Sequence, residues 1–174
     1  MIDLDKMKTL EGKRIYLRFL MEEDVTEQYC SWINDPEINE YLEAKSTTFE
    51  DQKRYIRDKF HDTSCLFYGI FTKESDLHIG NVKLEPVNDS EKPADISVII
   101  GEKEFWGKGF STEAYTVLIR HLFRNDLLGK ITTGCYKENI GAFKIAQKIG
   151  FSIISEEERL IRMKLEKSDF KFLE

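Results

Sequence analysis

The chain has 174 residues, of which 41% are hydrophobic and 33% are charged, and its formal net charge is −6 at pH 7. This size and balance fit one globular domain over residues 1–174, and the acidic charge argues against a nucleic-acid-binding surface, which is normally basic. No apolar run approaches the roughly 20 residues that cross a bilayer, and the N-terminal segment lacks the apolar core of a secretory signal. We therefore expect a cytoplasmic protein that does not associate with membranes.

The cysteines and histidines give no sign of a disulfide framework or a metal site. Cys30, Cys65 and Cys135 are odd in number, far apart and not arranged as Cys-x-x-Cys. None of the three histidines lies near a cysteine in the sequence. Neither pattern matches a structural disulfide scaffold or a zinc site, so we predict no metal.

Hydrophobic periodicity predicts a strand and two helices in the first third of the chain. Apolar and polar residues alternate over 15–19, which is typical of a half-buried strand, and helical spacing follows until Asn34-Asp35-Pro36. Thr47 and Glu50 have the spacing of a capping box for a second helix that ends near His61. The predicted apolar face of this helix consists of Phe49, Ile56 and Phe60.

The remainder of the chain predicts a mixed α/β (α+β) fold. Three strand-like runs suit an antiparallel meander, and the third is the most apolar and should be central in the sheet; turn-forming residues between Pro86 and Pro93 separate it from the second. Gly150 is a natural end for the last helix. The predicted strands are 66–72, 78–84, 95–100, 131–135, 151–154 and 160–165, and the predicted helices run from about 111 to 125 and from about 142 to 149. The total is about seven strands and four helices.

A glycine-rich segment between the strand ending at Ile100 and the helix beginning near Ser111 is the most informative part of the sequence. Gly107 and Gly109 allow the backbone to approach a ligand closely, and Lys108 adds a positive charge between them. The unpaired amide groups and partial positive charge of a helix N-terminus suit a phosphate or pyrophosphate.

Two better-known phosphate motifs do not fit this segment. Five residues, not the four of a P-loop, separate Gly101 from Gly107, and Gly109 occupies the position of the magnesium-binding Ser or Thr. The third glycine of a dinucleotide-binding loop is replaced by Thr112. A simple turn that binds nothing remains an alternative at this point.

Three ordered motifs resemble the GNAT superfamily of N-acetyltransferases, in the branch of the RimJ/RimL-type ribosomal-protein acetyltransferases and many amino-sugar acetyltransferases. The segment Trp106-Gly-Lys-Gly-Phe-Ser-Thr-Glu-Ala114 is similar to the branch's loop that holds the acyl-CoA pyrophosphate. The segment from Asn139 to Gly150-Phe151 is similar to the family's second coenzyme-flanking motif, and Trp32-Ile-Asn-Asp-Pro36 to its early acceptor-pocket stretch. The likeness covers residues 13–166.

The resemblance implies a GNAT fold with one mixed, mostly antiparallel sheet, and acetyl-CoA as cosubstrate. Backbone amide groups of a central strand would hold the pantetheine arm and stabilise the oxyanion. Asn139 would contact the coenzyme, although Asn also caps helices. The implied coenzyme-binding residues are Val98, Ile99, Ile100, Trp106, Gly107, Lys108, Gly109, Phe110, Ser111, Thr112, Asn139 and Phe143.

The catalytic groups are less clearly marked. Asp95 stands where the family places a carboxylate base, but a solvent-facing Asp at a strand start is an equally good interpretation. The position of the usual acid, a tyrosine in the last long helix, is Ala146, and Tyr136, at the end of a strand just before Asn139, is the candidate replacement. We expect Cys135 to be a buried strand residue and not a nucleophile.

These residues predict an enzyme that transfers the acetyl group of acetyl-CoA to a primary amine by direct attack. Among small-molecule acceptors we favour an amino group on a nucleotide-linked sugar. The rivals are acetylation of a protein or peptide N-terminus and a non-catalytic acyl-CoA-binding module. A homodimer is compatible with the sequence, which does not determine the oligomeric state.

Overall fold

A computed structural model describes residues 8–87 and 92–172, which form a mixed sheet flanked by four α-helices. The predicted α/β fold is confirmed. The strands are β1 (Thr9–Glu11), β2 (Ile15–Phe19), β3 (Leu66–Thr72), β4 (His78–Glu85), β5 (Ala94–Ile100), β6 (Lys130–Tyr136), β7 (Ser152–Glu156) and β8 (Leu160–Glu166). The helices are α1 (Glu27–Asn34), α2 (Phe49–His61), α3 (Phe110–Arg124) and α4 (Ile140–Ile149).

The sheet has the strand order β1-β2-β3-β4-β5-β6-β8-β7, so β5 is central as predicted. Every neighbouring pair is antiparallel except β5 and β6, which are parallel and joined through α3. The count of eight described strands exceeds the predicted seven because β1, a three-residue strand paired with β2, has too short a pattern to recognise. Part of the predicted turn between Pro86 and Pro93, residues 88–91, lies outside the described residues.

The two faces of the sheet carry different clusters of buried side chains. Leu66 and Tyr68 of β3 point to the larger core, which they share with α3 and α4, and we call this side the α3 face. Phe67 points to a smaller cluster formed with α1 and α2, which we call the α2 face. Side chains alternate between faces along a strand, so strand register assigns each residue of β4, β5 and β6 to one face.

Two details of α2 differ from the prediction. The N-cap is Thr48, whose hydroxyl accepts a hydrogen bond from the Asp51 amide group, because the Thr47 amide group is already bonded to the Asn34 side chain at 2.8 Å. The predicted apolar face is only partly buried: Ile56 is 1% exposed, whereas Phe49 and Phe60 are 39% and 48% exposed. Ile56 and the polar Gln52, 5% exposed, are the residues of this helix that are buried, and Phe49 and Phe60 face solvent.

Candidate active site

A gap opens in the middle of the sheet where β5 and β6 separate. Their parallel pairing covers only Ala94 with Ile131 and Asp95 with Thr132. One further contact closes the narrow end of the gap, a hydrogen bond of 2.8 Å from the Thr133 hydroxyl to the Ile96 carbonyl oxygen. Beyond it the two strands, which lie wholly within the described residues, share no pairing. The later residues of β5 thus have one free edge.

The direction of the β5 backbone groups determines which of them can face a ligand in this gap. The carbonyl groups of Ile96 and Ile100 point away from β4, toward Thr133 and the Trp106 indole respectively. The carbonyl oxygen of Ile99 points toward β4, since a Cβ atom built on Gly80 would lie 2.2 Å from it. N–H and C=O of one strand residue point to the same side. The amide groups of Val98 and Ile100 therefore face the gap.

The prediction that Ile99 contributes a backbone donor is corrected by this alternation. Its amide and carbonyl groups belong to the β4 side of the strand, in register with Asn81. The side chain of Ile99 points to the α2 face, where α1 carries Trp32 of the acceptor-pocket motif. Val98 is the innermost gap-facing donor, whereas the Ile100 carbonyl oxygen is already occupied by Trp106.

The glycine loop ends at the wide end of the gap in the conformation that its residues predict. Gly107 has φ 69° and Gly109 has φ 82°, a left-handed region that other residues rarely adopt. Gly109 is the N-cap of α3 and provides no side-chain cap. The amide groups of the sequence-predicted residues Lys108, Gly109, Phe110, Ser111 and Thr112 consequently have no acceptor among the described residues. This donor set suits a pyrophosphate.

Trp106 fixes the loop to the strand that precedes it. Its indole N–H donates a hydrogen bond of 2.8 Å to the Ile100 carbonyl oxygen, and 37% of the residue remains exposed. The Trp106 side chain thus joins the loop to the end of β5. Phe110 is 9% exposed and packs edge-on against Phe105, so only its backbone is available to a ligand.

Arg14, on the loop before β2, is a site residue that the sequence did not reveal. Its guanidinium donates to the Lys108 carbonyl oxygen at 3.0 Å and lies over the Phe110 ring at 4.1 Å. A Cβ atom on Gly109 would lie 3.6 Å from Arg14 Nη2, and the side chain is 43% exposed. Arg14 thus adds a full positive charge beside the unpaired amide groups of the loop.

Asn139 has the capping role that was the alternative for it. Its side-chain oxygen accepts a hydrogen bond of 3.0 Å from the Ala142 amide group at the start of α4. Phe143, one turn later, packs partly buried against the larger core. A contact between these two residues and a coenzyme remains a proposal. The cap uses the side-chain oxygen of Asn139, so its side-chain nitrogen Nδ2 is the group left to contact the coenzyme.

Asp95 lies at the narrow end of the gap on the α2 face. Its carboxylate accepts a hydrogen bond of 3.0 Å from the Thr132 hydroxyl, and Arg162 of β8 approaches it to 3.9 Å. Burial raises the pKa of the Asp95 carboxyl above its usual range, although Thr132 and Arg162 act in the opposite direction. The side chain is nevertheless 40% exposed, so a ligand can reach it. A carboxylate with these properties suits a general base.

Tyr136 is on the same α2 face but at the outer end of β6. The ring of Tyr41, from the segment after α1, lies 5.7 Å from it, and the Arg159 guanidinium lies 5.7 Å above it. These two neighbours, one earlier and one later in the chain, hold the Tyr136 ring.

Cys135 points to the opposite face of the sheet and is 7% exposed. Burial raises the pKa of its thiol, which favours the protonated form.

The early Trp32 motif reaches the site from α1. The Trp32 indole N–H donates to Glu102 at 2.7 Å, and a Cβ atom on Gly101 would lie 1.9 Å from the Trp32 ring. Only glycine fits at that position, which fixes how β5 leaves the sheet toward the loop.

The acidic run of residues 22–24 is paired with basic side chains of the fold: Asp24 pairs with Arg18 and Glu22 with Arg57.

The sequence profile of the acetyltransferase (GNAT) domain family matches residues 14–152 of the chain. The chain belongs to this family. Among curated relatives, an uncharacterized N-acetyltransferase p20 from Bacillus licheniformis is 29% identical over 160 residues, covering 90% of this chain and 86% of that protein. The acetyltransferase PseH of Campylobacter jejuni is 24% identical over 173 residues and 99% of both chains.

Solved structures share the fold of this GNAT domain over nearly its whole length. The spermidine N-acetyltransferase from Vibrio cholerae in complex with CoA and spermine has a TM-score of 0.79 at 23% identity, covering 90% of this chain and 97% of that chain. FdhC, a nucleotide-linked sugar GNAT, has a TM-score of 0.78 at 22% identity, covering 94% and 92%. At these identities the likeness concerns the fold alone.

The protein is therefore an N-acetyltransferase with acetyl-CoA as cosubstrate, and its residues fit that molecule. The free amide groups of the loop match the pyrophosphate, and the free edge of β5 matches an extended arm with amide groups. Within residues 8–87 and 92–172, no three metal-ligating side chains cluster together. No helix in that part of the chain combines the length and the apolar character needed to cross a membrane.

Proposed function

We propose that this enzyme acetylates an amino group of a nucleotide-linked sugar. The position of Arg162 carries the proposal. Its side chain passes over Gly134 of β6: a Cβ atom added to that glycine would lie 3.6 Å from Arg162 Nη1. The same nitrogen lies 3.9 Å from Asp95 Oδ1. The Arg162 side chain is 47% exposed. A half-exposed cation thus stands beside the group that would deprotonate the amine.

Two further features support an anionic acceptor. Lys164 is in register with Thr132, so it shares the α2 face with Arg162; it is 41% exposed and pairs with Glu166 at 3.3 Å. Two partly exposed cations at this entrance are suitable groups to bind the phosphates of an acceptor. The rings of Tyr41 and Tyr136 form a partly exposed aromatic wall that suits a planar base or a sugar face. FdhC, which shares the fold, acts in that substrate class by its description.

The chain's own groups have distinct roles in this reaction. Asp95 takes a proton from the attacking ammonium, directly or through water, and the Val98 amide group donates to the carbonyl oxygen as negative charge develops on it. The loop amide groups and Arg14 hold the donor's phosphates, which fixes the reacting carbonyl group at the narrow end of the gap. As part of the same proposal, we assign the enzyme to the RimJ/RimL-type branch, because the loop at 106–114 resembles that branch's coenzyme loop.

An acceptor panel tests the proposal. Release of CoA would be followed with a nucleoside-diphosphate-linked amino sugar, the same amino sugar without the nucleotide, spermidine, and a peptide with a free N-terminus. We expect the kcat/KM of the nucleotide-linked sugar to be at least about 100-fold above that of the free sugar. Two charge-assisted hydrogen bonds to the phosphates supply the binding free energy that this ratio requires. Preference for spermidine or the peptide would overturn the proposal, and so would coenzyme binding without turnover of any amine.

A further inference from the structure

The reaction needs a proton donor on the side of the gap opposite Asp95, and the family's usual residue is absent. When the amine nitrogen bonds to the acetyl carbon, the bond between that carbon and sulfur breaks and its electron pair stays on sulfur. The position of the usual acid is Ala146, which is 3% exposed and has no proton to give. The loop amide groups at the start of α3 would hold the donor's phosphates on the α3 face, so the departing sulfur would need a proton donor there.

Tyr115 is the ionisable side chain of α3 that reaches the narrow end of the gap from this face. Its hydroxyl group is a close neighbour of the Thr133 hydroxyl, which itself donates to the Ile96 carbonyl oxygen at 2.8 Å. Its ring packs edge-on against Phe151 at 6.5 Å. The side chain is partly exposed although its neighbours Ala114 and Thr116 are buried. The hydroxyl group is thus held where β5 and β6 begin to separate.

We propose that Tyr115 is the general acid that protonates the sulfur of the departing thiolate. The hydroxyl proton moves to sulfur as the bond between carbon and sulfur breaks. The nitrogen loses one proton when the ammonium is deprotonated and a second when the amide forms; one of these replaces the proton of Tyr115 and the other leaves to solvent. The net reaction therefore leaves the enzyme unchanged. The proposal rests on acetyl transfer as the activity and is independent of which amine is the natural acceptor.

The surroundings of Tyr115 favour this role over Tyr136. Asp95 of β5 and Cys135 of β6 are titratable neighbours, and both disfavour a negative charge on its oxygen. Burial raises the pKa of the Tyr115 hydroxyl to about 12, so the group is protonated at the start of each turnover. Tyr136 points to the α2 face, where the acceptor and Asp95 lie, and its ring is held by Tyr41 and Arg159.

The kinetic test uses hydroxylamine, which is small enough to enter the gap whatever the natural acceptor and is already deprotonated at neutral pH. Tyr115→Phe removes one hydroxyl and keeps the ring. We expect acetohydroxamate formation to fall about 100-fold in kcat with KM for acetyl-CoA unchanged, the usual effect of losing a general acid. Tyr16→Phe, the same change on β2 with its partner Asp76, should keep the wild-type rate. A full rate in Tyr115→Phe, or a 100-fold loss in Tyr136→Phe alone, would overturn the assignment.

A binding measurement without turnover tests the contact itself. Position 115 would carry 3-fluorotyrosine, which retains the hydroxyl group, and its fluorine resonance would be followed during titration with CoA and with desulfo-CoA. We expect CoA to move the resonance further than desulfo-CoA, because only CoA carries the sulfur. Equal shifts would overturn the contact while leaving acetyl transfer intact. A wild-type protein that acetylates neither hydroxylamine nor the acceptor panel would instead overturn both proposals.

Discussion

Arg14 and Glu113 form a pair of contacts that joins the start of β2 to the first turn of α3, although 99 residues separate them. The Glu113 carboxylate accepts hydrogen bonds from the Arg14 amide group at 2.7 Å and from Arg14 Nε at 2.8 Å. The remaining guanidinium nitrogens face the Lys108 carbonyl oxygen and Gly109. Glu113 thereby orients the cation that stands beside the phosphate loop.

Arg14→Gln is expected to weaken coenzyme binding. The variant loses the charge beside Gly109 and the bond to the Lys108 carbonyl oxygen, so the Kd for CoA should rise about tenfold, the value of one charge-assisted hydrogen bond. Isothermal titration calorimetry measures it. Arg57→Gln removes a similar surface pair with Glu22 on α2 and serves as the matched control. An unchanged Kd in Arg14→Gln would mean that Arg14 only stabilises the fold.

Gly109→Glu is expected to abolish CoA binding. The position has φ 82°, and the new carboxylate would stand among the unpaired amide groups meant for phosphate. In the wild type, acetyl-CoA at 100 times its Kd should stabilise the fold by about 2.7 kcal/mol and raise the midpoint of thermal unfolding by about 5–10 °C. Gly129→Glu, in open space near the other end of α3, should keep this rise. A retained rise in Gly109→Glu would place the coenzyme elsewhere.

Local pattern was sufficient for most elements and for the conformation of the glycine loop. The helical spacing that ends at Gly150 predicted the end of α4, and this glycine has φ 123°. Gly107 and Gly109 were identified because glycine lets the backbone approach a ligand closely, and both have the positive φ that glycine allows. These features depend on interactions within a few residues of chain, which a single sequence contains.

Features that depend on distant partners could not be predicted. Arg14 is one of many charged residues until the fold brings Glu113 to it. The backbone direction of Ile99 follows from the register of β5 on β4, and the cap of α2 moved to Thr48 because Asn34 holds Thr47. In the sequence, Tyr115 stands at helical spacing with Leu118 and Leu122, as an apolar residue of the helix would. Only the separation of β5 and β6 gives its hydroxyl group a role.

Glu85 should make the protein sensitive to acid. Burial alone would raise the pKa of this carboxyl, but hydrogen bonds from Lys59 and Lys83 outweigh burial and lower it to about 2. Since the folded pKa lies below the unfolded value of about 4.3, the stabilisation is complete above that pH and is lost as the pH falls toward 2. The side chain is 28% exposed, so we expect about 2 kcal/mol from this residue.

Urea unfolding at pH 7 and pH 3 measures this effect. Glu85→Gln should be less stable than the wild type at pH 7 and should lose less stability between the two pH values. Glu74→Gln, in the exposed turn between β3 and β4, should follow the wild type at both. Identical pH dependence in wild type and Glu85→Gln would contradict the assignment.

Asp95→Asn separates an enzyme from a module that only binds acyl-CoA. We expect kcat to fall by about 100- to 1,000-fold, because the amide cannot accept the amine proton. The wild-type kcat/KM should fall as the pH drops through the raised pKa of Asp95, and the variant should lack this acidic limb. The rise in unfolding midpoint with acetyl-CoA should be unchanged. Asp126→Asn, beside Lys167 after α3, is the control, and an unaltered rate in Asp95→Asn would remove Asp95 from the mechanism.

Arg162→Gln is expected to act on the acceptor and not on the coenzyme. With a nucleotide-linked amino sugar, loss of the guanidinium should raise KM by about tenfold or more and leave the KM for acetyl-CoA unchanged, since Arg162 contacts the α2 face of the gap. With the free amino sugar, which has no phosphate, KM should scarcely change. Arg54→Gln, an exposed arginine paired with Asp51 on α2, should change neither constant.

The comparison of the two acceptors decides what Arg162 recognises. An equal loss with both sugars would mean that Arg162 holds Asp95 in place and reads no phosphate, because the 3.9 Å approach to Asp95 is the contact common to both reactions. A loss confined to the nucleotide-linked sugar would mean that Arg162 binds its phosphates. In that case the salt dependence of KM should also be steeper for the wild type than for Arg162→Gln, since a cation is removed from the binding surface.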